Sequence, residues 1–398
     1  MNKPPSASWK ELIANEKTGV VRQAGADVSG REGEWVKQFK STAEKSLYVF
    51  SKGVMNRDYL TGHFHLEVAN FLQKTPPYRK MLLLPRNHAK TSLVSHCLPV
   101  HILIQPSVGG LYFPGLEGSE CRILLAGEKE DRAKDNLRVI AAAFTGNTLL
   151  RTLWPERCWD KPRRDAPRWN DSEVIIPREE EWPDASVHAI GVGGAITGAR
   201  PNVIIKDDII SVEASNSDVV MQAAIDWHVV SRALLEEYEV ESGLQSLEFI
   251  IGTHWATFDV YTYVKENDPT VESLEKSIFW TDDAGDRHIL WPERYTWENL
   301  DELKSQYGRM FWLLFMNDPF DPEITDFDLN KVRRYEVKDD KAIFNTDKRD
   351  EQLARKLEIM STPVAEASGL PLNSKTYDSL FPTGRREFLM QKWKEWKR

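Results

Sequence analysis

The chain contains a Lys-Thr pair, Lys90 and Thr91, near the start of a helix-like stretch at 89–104. The apolar run 80–85 precedes it and is typical of a buried strand. A turn from a strand into a helix directs backbone N–H groups and the positive end of the helix dipole toward an anion. A Lys at that turn would add charge at the β- and γ-phosphates of ATP, and a Thr hydroxyl would coordinate Mg²⁺.

The segment around this pair, LPRNHAKTS at 84–92, matches the phosphate-loop template G-x-x-x-x-G-K-[ST] only in part. Leu84 and Ala89 occupy the positions of both glycines. Taken alone, such a string is more often a surface Lys-Thr at an ordinary helix start. If the loop does bind nucleotide, the residues predicted to contact it are Asn87, His88, Ala89, Lys90, Thr91 and Ser92.

A second candidate is an acidic pair, Asp207 and Asp208, which follows the strand-like run 202–206. Open α/β sheets bind ligands at the carboxyl ends of their strands. Asp207 is predicted to bind Mg²⁺ through water, and Asp208 to orient or deprotonate the attacking water. Glu213 is an alternative base, because Asp is one methylene shorter than the Glu that often has this role. An acidic turn that merely closes a strand is the other interpretation.

The glycine-rich stretch 191–201 leads through Pro201 directly into the next predicted strand. A dinucleotide-binding fingerprint must open a helix, so that function is excluded here. We expect the glycines to build a tight turn beside the active edge, with Arg200 projecting from its end. An Arg near the γ-phosphate would stabilise phosphoryl transfer, whereas pairing with surface carboxylates is an equally weighted alternative.

Strands and helices must position these residues, and the sequence predicts an alternating series of both. Short apolar runs alternate with helix-like stretches of ten residues or more from about residue 60 to 320. This alternation predicts an α/β fold with a mainly parallel sheet flanked by helices on both faces. We assign residues 60–325 to this core, 1–60 to helical segments that pack on it, and 326–398 to a tail with a basic terminal helix.

Composition excludes several classes of protein. The chain has 398 residues, 41% hydrophobic residues, three Cys and a net charge of −9. It is therefore neither a disulfide-stapled mini-protein nor intrinsically disordered, and no apolar run is long enough to span a bilayer. The N-terminus lacks the apolar segment of a secretory signal, so we expect the protein to stay in the compartment where it is made.

The negative charge argues against a protein coated with nucleic acid but permits a local basic patch. Residues 151–169 contain six basic and three acidic residues with three interleaved Trp, and the last fourteen residues contain six basic and two acidic residues. Either stretch could contact DNA. For a charge run, a solvated surface is the more common interpretation.

As an ordered set, several segments resemble the ATPase motor of the large terminase subunit of tailed bacteriophages. The resemblance spans roughly residues 60–320. Its motifs are PRNHAKTS at 85–92, RILLAGEKEDRAKDNLRVI at 122–140, GVGGAITGARPNVIIKDDII at 191–210, GTHW at 252–255 followed by Asp259, and LWPERYTWENLDELKSQYG at 290–308.

The resemblance implies a P-loop NTPase fold of the RecA-like (ASCE) type and further residue roles. Arg86 would belong to the variant phosphate loop of this family, and Thr253 to the coupling motif that senses the γ-phosphate. Asp207 and Asp208 would be the metal-binding and catalytic carboxylates. Arg200 would be an arginine finger that reaches into a neighbouring subunit.

The function implied is a homo-oligomeric ring ATPase that uses ATP and Mg²⁺ to translocate double-stranded DNA into a procapsid. Its partners would be the DNA, a portal protein and a small terminase subunit, in the cytoplasm of the host cell. The roughly 70 residues after the motor are too few for the nuclease domain usual in the family, so nuclease activity is not predicted. A helicase-like nucleic-acid motor and a nucleotide-binding scaffold with little turnover are the alternatives.

Overall fold

The structure is a computed structural model that describes residues 31–194, 198–211, 217–240, 243–256, 259–318, 335–338 and 341–344. The chain divides into two compact units, Met1–Asp321 and Pro322–Arg398. The first unit contains the large sheet and the helices around it. In the second unit, the described residues form two strands.

The first unit is built on a seven-stranded sheet with the order β3-β4-β2-β5-β8-β1-β9. Every neighbouring pair is parallel except β3 and β4. The strands are β1 (Arg79–Leu83), β2 (Ile123–Gly127), β3 (Glu173–Val174), β4 (Val187–Gly191), β5 (Val203–Asp207), β6 (Tyr238–Val240), β7 (Gly243–Gln245), β8 (Leu247–Gly252), β9 (Val271–Glu275), β10 (Phe279–Thr281), β11 (Arg287–Ile289), β12 (Tyr335–Lys338) and β13 (Lys341–Phe344).

The helices lie mostly between successive strands. A π-helical turn, Ser92–Cys97, precedes α4 directly, and a second one, Phe50–Val54, follows α2. The α-helices are α1 (Arg31–Lys45), α2 (Leu47–Val49), α3 (His65–Gln73), α4 (Leu98–Leu103), α5 (Glu130–Gly146), α6 (Thr148–Leu153), α7 (Pro162–Asp165), α8 (Asp218–Arg232), α9 (Val260–Asn267), α10 (Trp297–Tyr307) and α11 (Arg309–Met316).

Alternate side chains of the central strands enter two different cores, as the period of a strand requires. On one face, Leu82, Leu125 and Ile205 pack in a large cluster with residues of α1 and α5. On the other face, Ile204 and Ile250 pack with residues of α8 and α9. The predicted α/β fold, a mainly parallel sheet with helices on both faces, is therefore confirmed.

The position of the candidate site follows from β8 and its two parallel neighbours in the sheet. Within the sheet, β8 lies between β1 and β5, and Leu83 pairs with Gly252 while Asp207 pairs with Ile251. The carboxyl ends of these three strands are thus side by side, at the edge from which the segments after Leu83, Asp207 and Gly252 emerge. The N-terminal helices contribute buried residues, including Leu47 and Phe50, to the larger core.

A third cluster lies after β9 and includes Ile278, Trp291, Phe311 and Phe315. It packs the β10–β11 hairpin against α10 and α11. Two backbone hydrogen bonds join it to the strand and loop around the Lys-Thr pair: Lys276 N–H donates to Leu83 O (3.0 Å), and Arg86 N–H donates to Leu314 O (2.7 Å).

The sequence assignment of 326–398, a tail with a basic terminal helix, included no strand. Residues 335–338 and 341–344 pair as an antiparallel hairpin. The two runs contain Tyr335, Val337, Ile343 and Phe344, residue types that favour strands, although the stretch is rich in Lys. The predicted basic terminal helix lies outside the described residues. Among those that are described, no helix is both long and apolar enough to cross a membrane.

Candidate nucleotide-binding site

The loop between β1 and the Lys-Thr pair turns through two left-handed residues. Asn87 and Ala89 both have φ values of 63°. This region of backbone space suits Gly and costs an L-residue about 1 to 2 kcal/mol. Ala89 is at the second glycine position of the phosphate-loop template. The loop therefore has, at that position, the left-handed conformation that favours glycine, but the residue there carries a methyl group.

Lys90 is almost fully buried and lies between two predicted catalytic residues. Its Nζ donates a hydrogen bond to Thr253 Oγ1 (3.3 Å) and is 3.5 Å from Asp208 Oδ1. Because Lys90 begins the helix after β1, Asp208 follows β5 and Thr253 follows β8, these contacts join the carboxyl ends of three strands. The structure thus brings together residues that are far apart in the sequence.

Asp207 is buried and held by three donors. The Thr91 hydroxyl donates to Asp207 Oδ1 (3.3 Å), while the Ser95 hydroxyl (2.6 Å) and Asn136 Nδ2 (3.0 Å) donate to Oδ2. Asn136 is in turn fixed by His96, whose Nε2 lies 2.9 Å from the Asn136 side-chain oxygen. Oδ2 is therefore engaged by two donors, and Oδ1 faces the Thr91 hydroxyl.

These oxygens fit a magnesium ion. Mg²⁺ is usually held by one or two carboxylates together with waters and nucleotide phosphates, rather than by a cage of protein ligands. Asp207 Oδ1 and Thr91 Oγ1 could supply such a partial ligand set directly or through water. Burial and the neighbouring Asp208 raise the pKa of Asp207 to about 6, against the opposing effects of Ser95, Lys90 and Thr91. A cation beside this carboxylate would offset the cost of burying its charge.

Asp208 marks a sharp turn immediately after β5. Its φ is 45°, and its N–H donates to Ile251 O (2.9 Å). The turn places its side chain, which is 46% exposed, beside Lys90. A half-exposed carboxylate next to a buried metal-binding candidate is suited to contacting a water molecule that approaches a phosphate.

Thr253 is part of a turn fixed by a buried imidazole. His254 Nδ1 lies 3.0 Å from Asp259 Oδ2, and its Nε2 lies 3.2 Å from Glu275 Oε1. Burial lowers the pKa of His254, but the hydrogen bonds to both carboxylates outweigh it and raise the pKa to about 9. Asp259 also caps α9 by accepting from Tyr261 N–H. The turn that carries Thr253 is thus attached to α9 and β9.

The side chains of the loop itself point in different directions. Arg86 and Asn87 are exposed, and Ser92 is half-buried. His88 is buried: its ring stacks on Tyr295 with a centroid distance of 5.2 Å, and its Nδ1 lies 2.9 Å from Arg86 O. The imidazole of His88 therefore anchors the loop to the third cluster.

One predicted residue is not brought to this site in its own subunit. Arg200 is exposed, and its N–H donates to Asp184 Oδ2 (3.4 Å). Because β4 and β5 both run parallel to β2, the chain returns to the amino edge before β5, and Arg200 lies at that edge. Our expectation that it projects beside the active edge is thus wrong for its own subunit, and its action in a neighbouring subunit stays a prediction. Glu213 lies outside the described residues.

The sequence interpretation did not identify Ser95, His96 or Asn136. A signal for Ser95 was available, since it lies one helical turn after Thr91 and so faces the same side. Asn136 is on α5, which begins three residues after β2, the strand beside β5. Its contact with Asp207 depends on the strand order, which the sequence does not give.

Comparison with known proteins gives partial similarities of structure. No protein-family model matches the sequence, and no curated protein matches it. The large terminase of bacteriophage HK97 is similar with a TM-score of 0.42 and 15% identity, over 65% of this chain and 50% of that chain. The similarity thus spans half of the HK97 protein.

Two further solved structures are similar. The ATPase domain of the Thermus phage P74-26 large terminase has a TM-score of 0.41 and 15% identity, over 68% of this chain and 98% of that chain. Dbp5 of S. cerevisiae, in a complex that contains ADP, has a TM-score of 0.32 and 12% identity, over 65% and 59%. Large terminases, whose motifs the sequence resembles, are thus among the proteins with which the structure aligns.

Proposed function

We propose that the chain is a Mg²⁺-dependent ATPase. The observation that carries this proposal is the contact of Lys90 with both Thr253 and Asp208, beside the Thr91–Asp207 pair, at the carboxyl edge of a parallel sheet. A buried cation, a hydroxyl, a protected carboxylate and a half-exposed carboxylate are the groups that transfer of a phosphoryl group to water requires. They converge after a strand-to-helix turn that is left-handed at the second glycine position of the phosphate-loop template.

Each group would have a separate task. Lys90 would neutralise charge on the β- and γ-phosphates, and Asp208 would orient or deprotonate the attacking water. Thr91 and Asp207 would hold Mg²⁺, which when bound supplies positive charge to the same phosphates. Thr253 contacts Lys90, so it would respond to the presence of the γ-phosphate through that side chain.

We further propose that this ATPase is the motor of a phage large terminase that translocates double-stranded DNA into a procapsid. The support is the ordered set of sequence motifs. In this proposal the chain acts in a ring with copies of itself, docked on a portal protein and loaded by a small terminase subunit. Arg200 would then act on the nucleotide of a neighbour, since it lies at the opposite edge of its own sheet.

The ATPase proposal can be tested by measuring ATP hydrolysis with Mg²⁺ and with EDTA. We expect Lys90→Ala to lower the rate by about 10²- to 10³-fold, because a buried charge at the transition state is lost. Lys74→Ala, which removes an exposed Lys elsewhere, is the matched control. Equal rates for Lys90→Ala and wild type would overturn the proposal.

One observation favours a second candidate, a nucleotide-binding scaffold with little turnover. Ala89 carries a methyl group at a left-handed position where the template has Gly. This methyl group would crowd the approach of the β-phosphate and reduce affinity for the nucleotide.

The variant Ala89→Gly distinguishes the two candidates. It removes both the methyl group and the backbone strain, so we expect a lower Kd for ATP by calorimetry and a higher rate of hydrolysis. Stability should change by less than about 1 kcal/mol, because the relief of strain is offset by the greater freedom of Gly in the unfolded chain. A lower Kd without a higher rate would favour the scaffold.

A further inference from the structure

An open groove lies between the outward face of α5 and the segment 161–172. Its volume is about 990 Å³, within the size range of ligand-binding clefts. Leu137, Ala141 and Ala142 of α5 form its apolar floor, and Trp169 forms part of its wall. The groove is separate from the candidate nucleotide site, since Asn136 of the same helix faces Asp207.

The charged residues that line this groove are mostly basic. They are Arg138, Lys161, Arg163, Arg164 and Asp171, which leaves an excess of three positive charges. The whole chain has a net charge of −9. The groove is therefore a local reversal of charge, and an anionic partner would be attracted to it against the overall field.

Two of the cations are already paired and two are not. Arg138 lies 3.8 Å from an Asp171 carboxylate oxygen and also pairs with Asp135, and Arg164 pairs with Asp165 at 2.7 Å. Among the described residues, no carboxylate lies within ion-pair distance of the Lys161 or Arg163 side chains. Both residues are exposed. Their charges are thus available to a ligand without breaking an existing ion pair.

An apolar floor beside free cations is suited to a ligand that is itself anionic and partly apolar at regular intervals. A nucleic-acid strand has this character, because each phosphate is followed by a sugar and a base. Lys and Arg contacts to phosphates bind without reading sequence. In a duplex the bases are stacked inside, so the apolar residues of the groove would pack against the sugars.

We propose that this groove, with Lys161 and Arg163 as its principal cations, binds the phosphate backbone of DNA. The inference rests on the proposed function as a DNA motor and locates the surface at which that motor contacts its substrate. It assigns a binding role to 161–169, the second part of the basic, Trp-containing stretch 151–169, and separates that part from the nucleotide site.

The proposal is tested by titrating a fluorescent DNA duplex with the full chain at several salt concentrations. The double variant Lys161→Gln/Arg163→Gln should bind more weakly, and the slope of log K against log salt should fall in magnitude by about 2, since each phosphate contact contributes about 0.9. The control is Lys37→Gln/Lys74→Gln, which removes two exposed Lys outside the groove and should leave the slope unchanged.

The failure of this inference can be distinguished from failure of the proposed function. ATP hydrolysis without DNA should be the same in wild type and both double variants, which also reports correct folding. Equal DNA binding by the groove variant and wild type would overturn the inference, while Lys90-dependent hydrolysis would still support the ATPase. Polyglutamate, an acidic polypeptide, can be titrated as a second probe. If the groove variant lost binding to polyglutamate while its DNA binding was unchanged, the inference would also be overturned, and the groove would be indicated as a site for an acidic protein partner.

Discussion

The buried carboxylate Asp207 depends on neighbours that are distant in the sequence. Two hydrogen bonds to its Oδ2 come from Ser95 and Asn136, and Thr91 faces its Oδ1. Because Oδ2 is engaged, the orientation of Oδ1 is fixed before any cation binds. Residues that orient a metal ligand in this way commonly contribute 10- to 100-fold to metal affinity.

The role of Asn136 is testable by replacing it. We expect Asn136→Ala to raise the Mg²⁺ concentration needed for half-maximal ATP hydrolysis by about 10-fold or more, because Asp207 loses one of its orienting donors. The rate at saturating Mg²⁺ should change less. Thr145→Ala, an exposed substitution on the same helix, should leave the Mg²⁺ dependence as it is. A uniform loss of rate at every Mg²⁺ concentration would show that Asn136 has another role.

At the scale of elements, the end of β8 is fixed by close packing against α9. A Cβ atom added at Gly252 would overlap the ring of Tyr261, a fully buried residue of α9. The next two residues are Thr253, which contacts Lys90, and His254, which contacts Asp259 and Glu275. The position of Thr253 therefore follows from how β8, α9 and β9 pack together.

This packing predicts that Gly252→Ala destabilises the protein. We expect a loss of about 1 to 3 kcal/mol in the free energy of unfolding by urea, the usual cost of overfilling a packed site. Gly146→Ala at the end of α5 is the matched control, since an added Cβ there meets no atom within 4 Å. A loss in the free energy of unfolding for Gly252→Ala no larger than that for Gly146→Ala would contradict the close packing of these elements.

The His254 contacts predict a pH dependence of stability. The pKa of His254 is raised from 6.5 to about 9, so its ion pairs stabilise the fold fully below pH 6.5 and are lost as the pH rises through 9. A shift of this size corresponds to about 3 kcal/mol. The charged groups that face it are Asp259 and Glu275, and Glu275 is also paired with Lys265.

Urea unfolding of wild type and His254→Gln at several pH values measures this contribution. The difference in stability between the two proteins should be largest below pH 6.5 and should shrink above pH 9. Thr145→Ala, an exposed substitution of a residue that does not titrate, should show no such trend. A difference that does not vary with pH would mean that His254 is uncharged in the folded protein.

At the scale of the whole molecule, the sequence predicts the central strands well and the periphery poorly. The strands β1, β2, β4, β5 and β8 are buried and apolar, so their runs are recognisable. Edge strand β9, Val271–Glu275, has half-buried and exposed polar residues and was not predicted. An edge strand has only one neighbour and less need of apolar side chains.

Local sequence patterns likewise predict only part of the candidate site. Lys90, Thr91 and Asp207 each follow or begin an element at the carboxyl edge, so local patterns suffice to find them. Thr253 was indicated only by the resemblance of its motif to those of large terminases. The contact of Asn136 with Asp207 depends on strand order, which no local pattern contains. The position of Arg200 at the amino ends of the strands, by contrast, follows from its place just before a predicted strand of a parallel sheet. A net charge of −9 likewise did not reveal the basic groove, because a sum over the chain says nothing about where charges lie.

The measurement that tests the account most directly is ATP hydrolysis by wild type and Lys90→Ala, with and without double-stranded DNA. A DNA motor should hydrolyse ATP faster when DNA is present, and Lys90→Ala should lower both the basal and the stimulated rates by about 10²- to 10³-fold. Stimulation should decrease with increasing salt as phosphate contacts weaken. Hydrolysis by Lys90→Ala at the wild-type rate, or wild-type hydrolysis that is unaffected by DNA, would contradict the account.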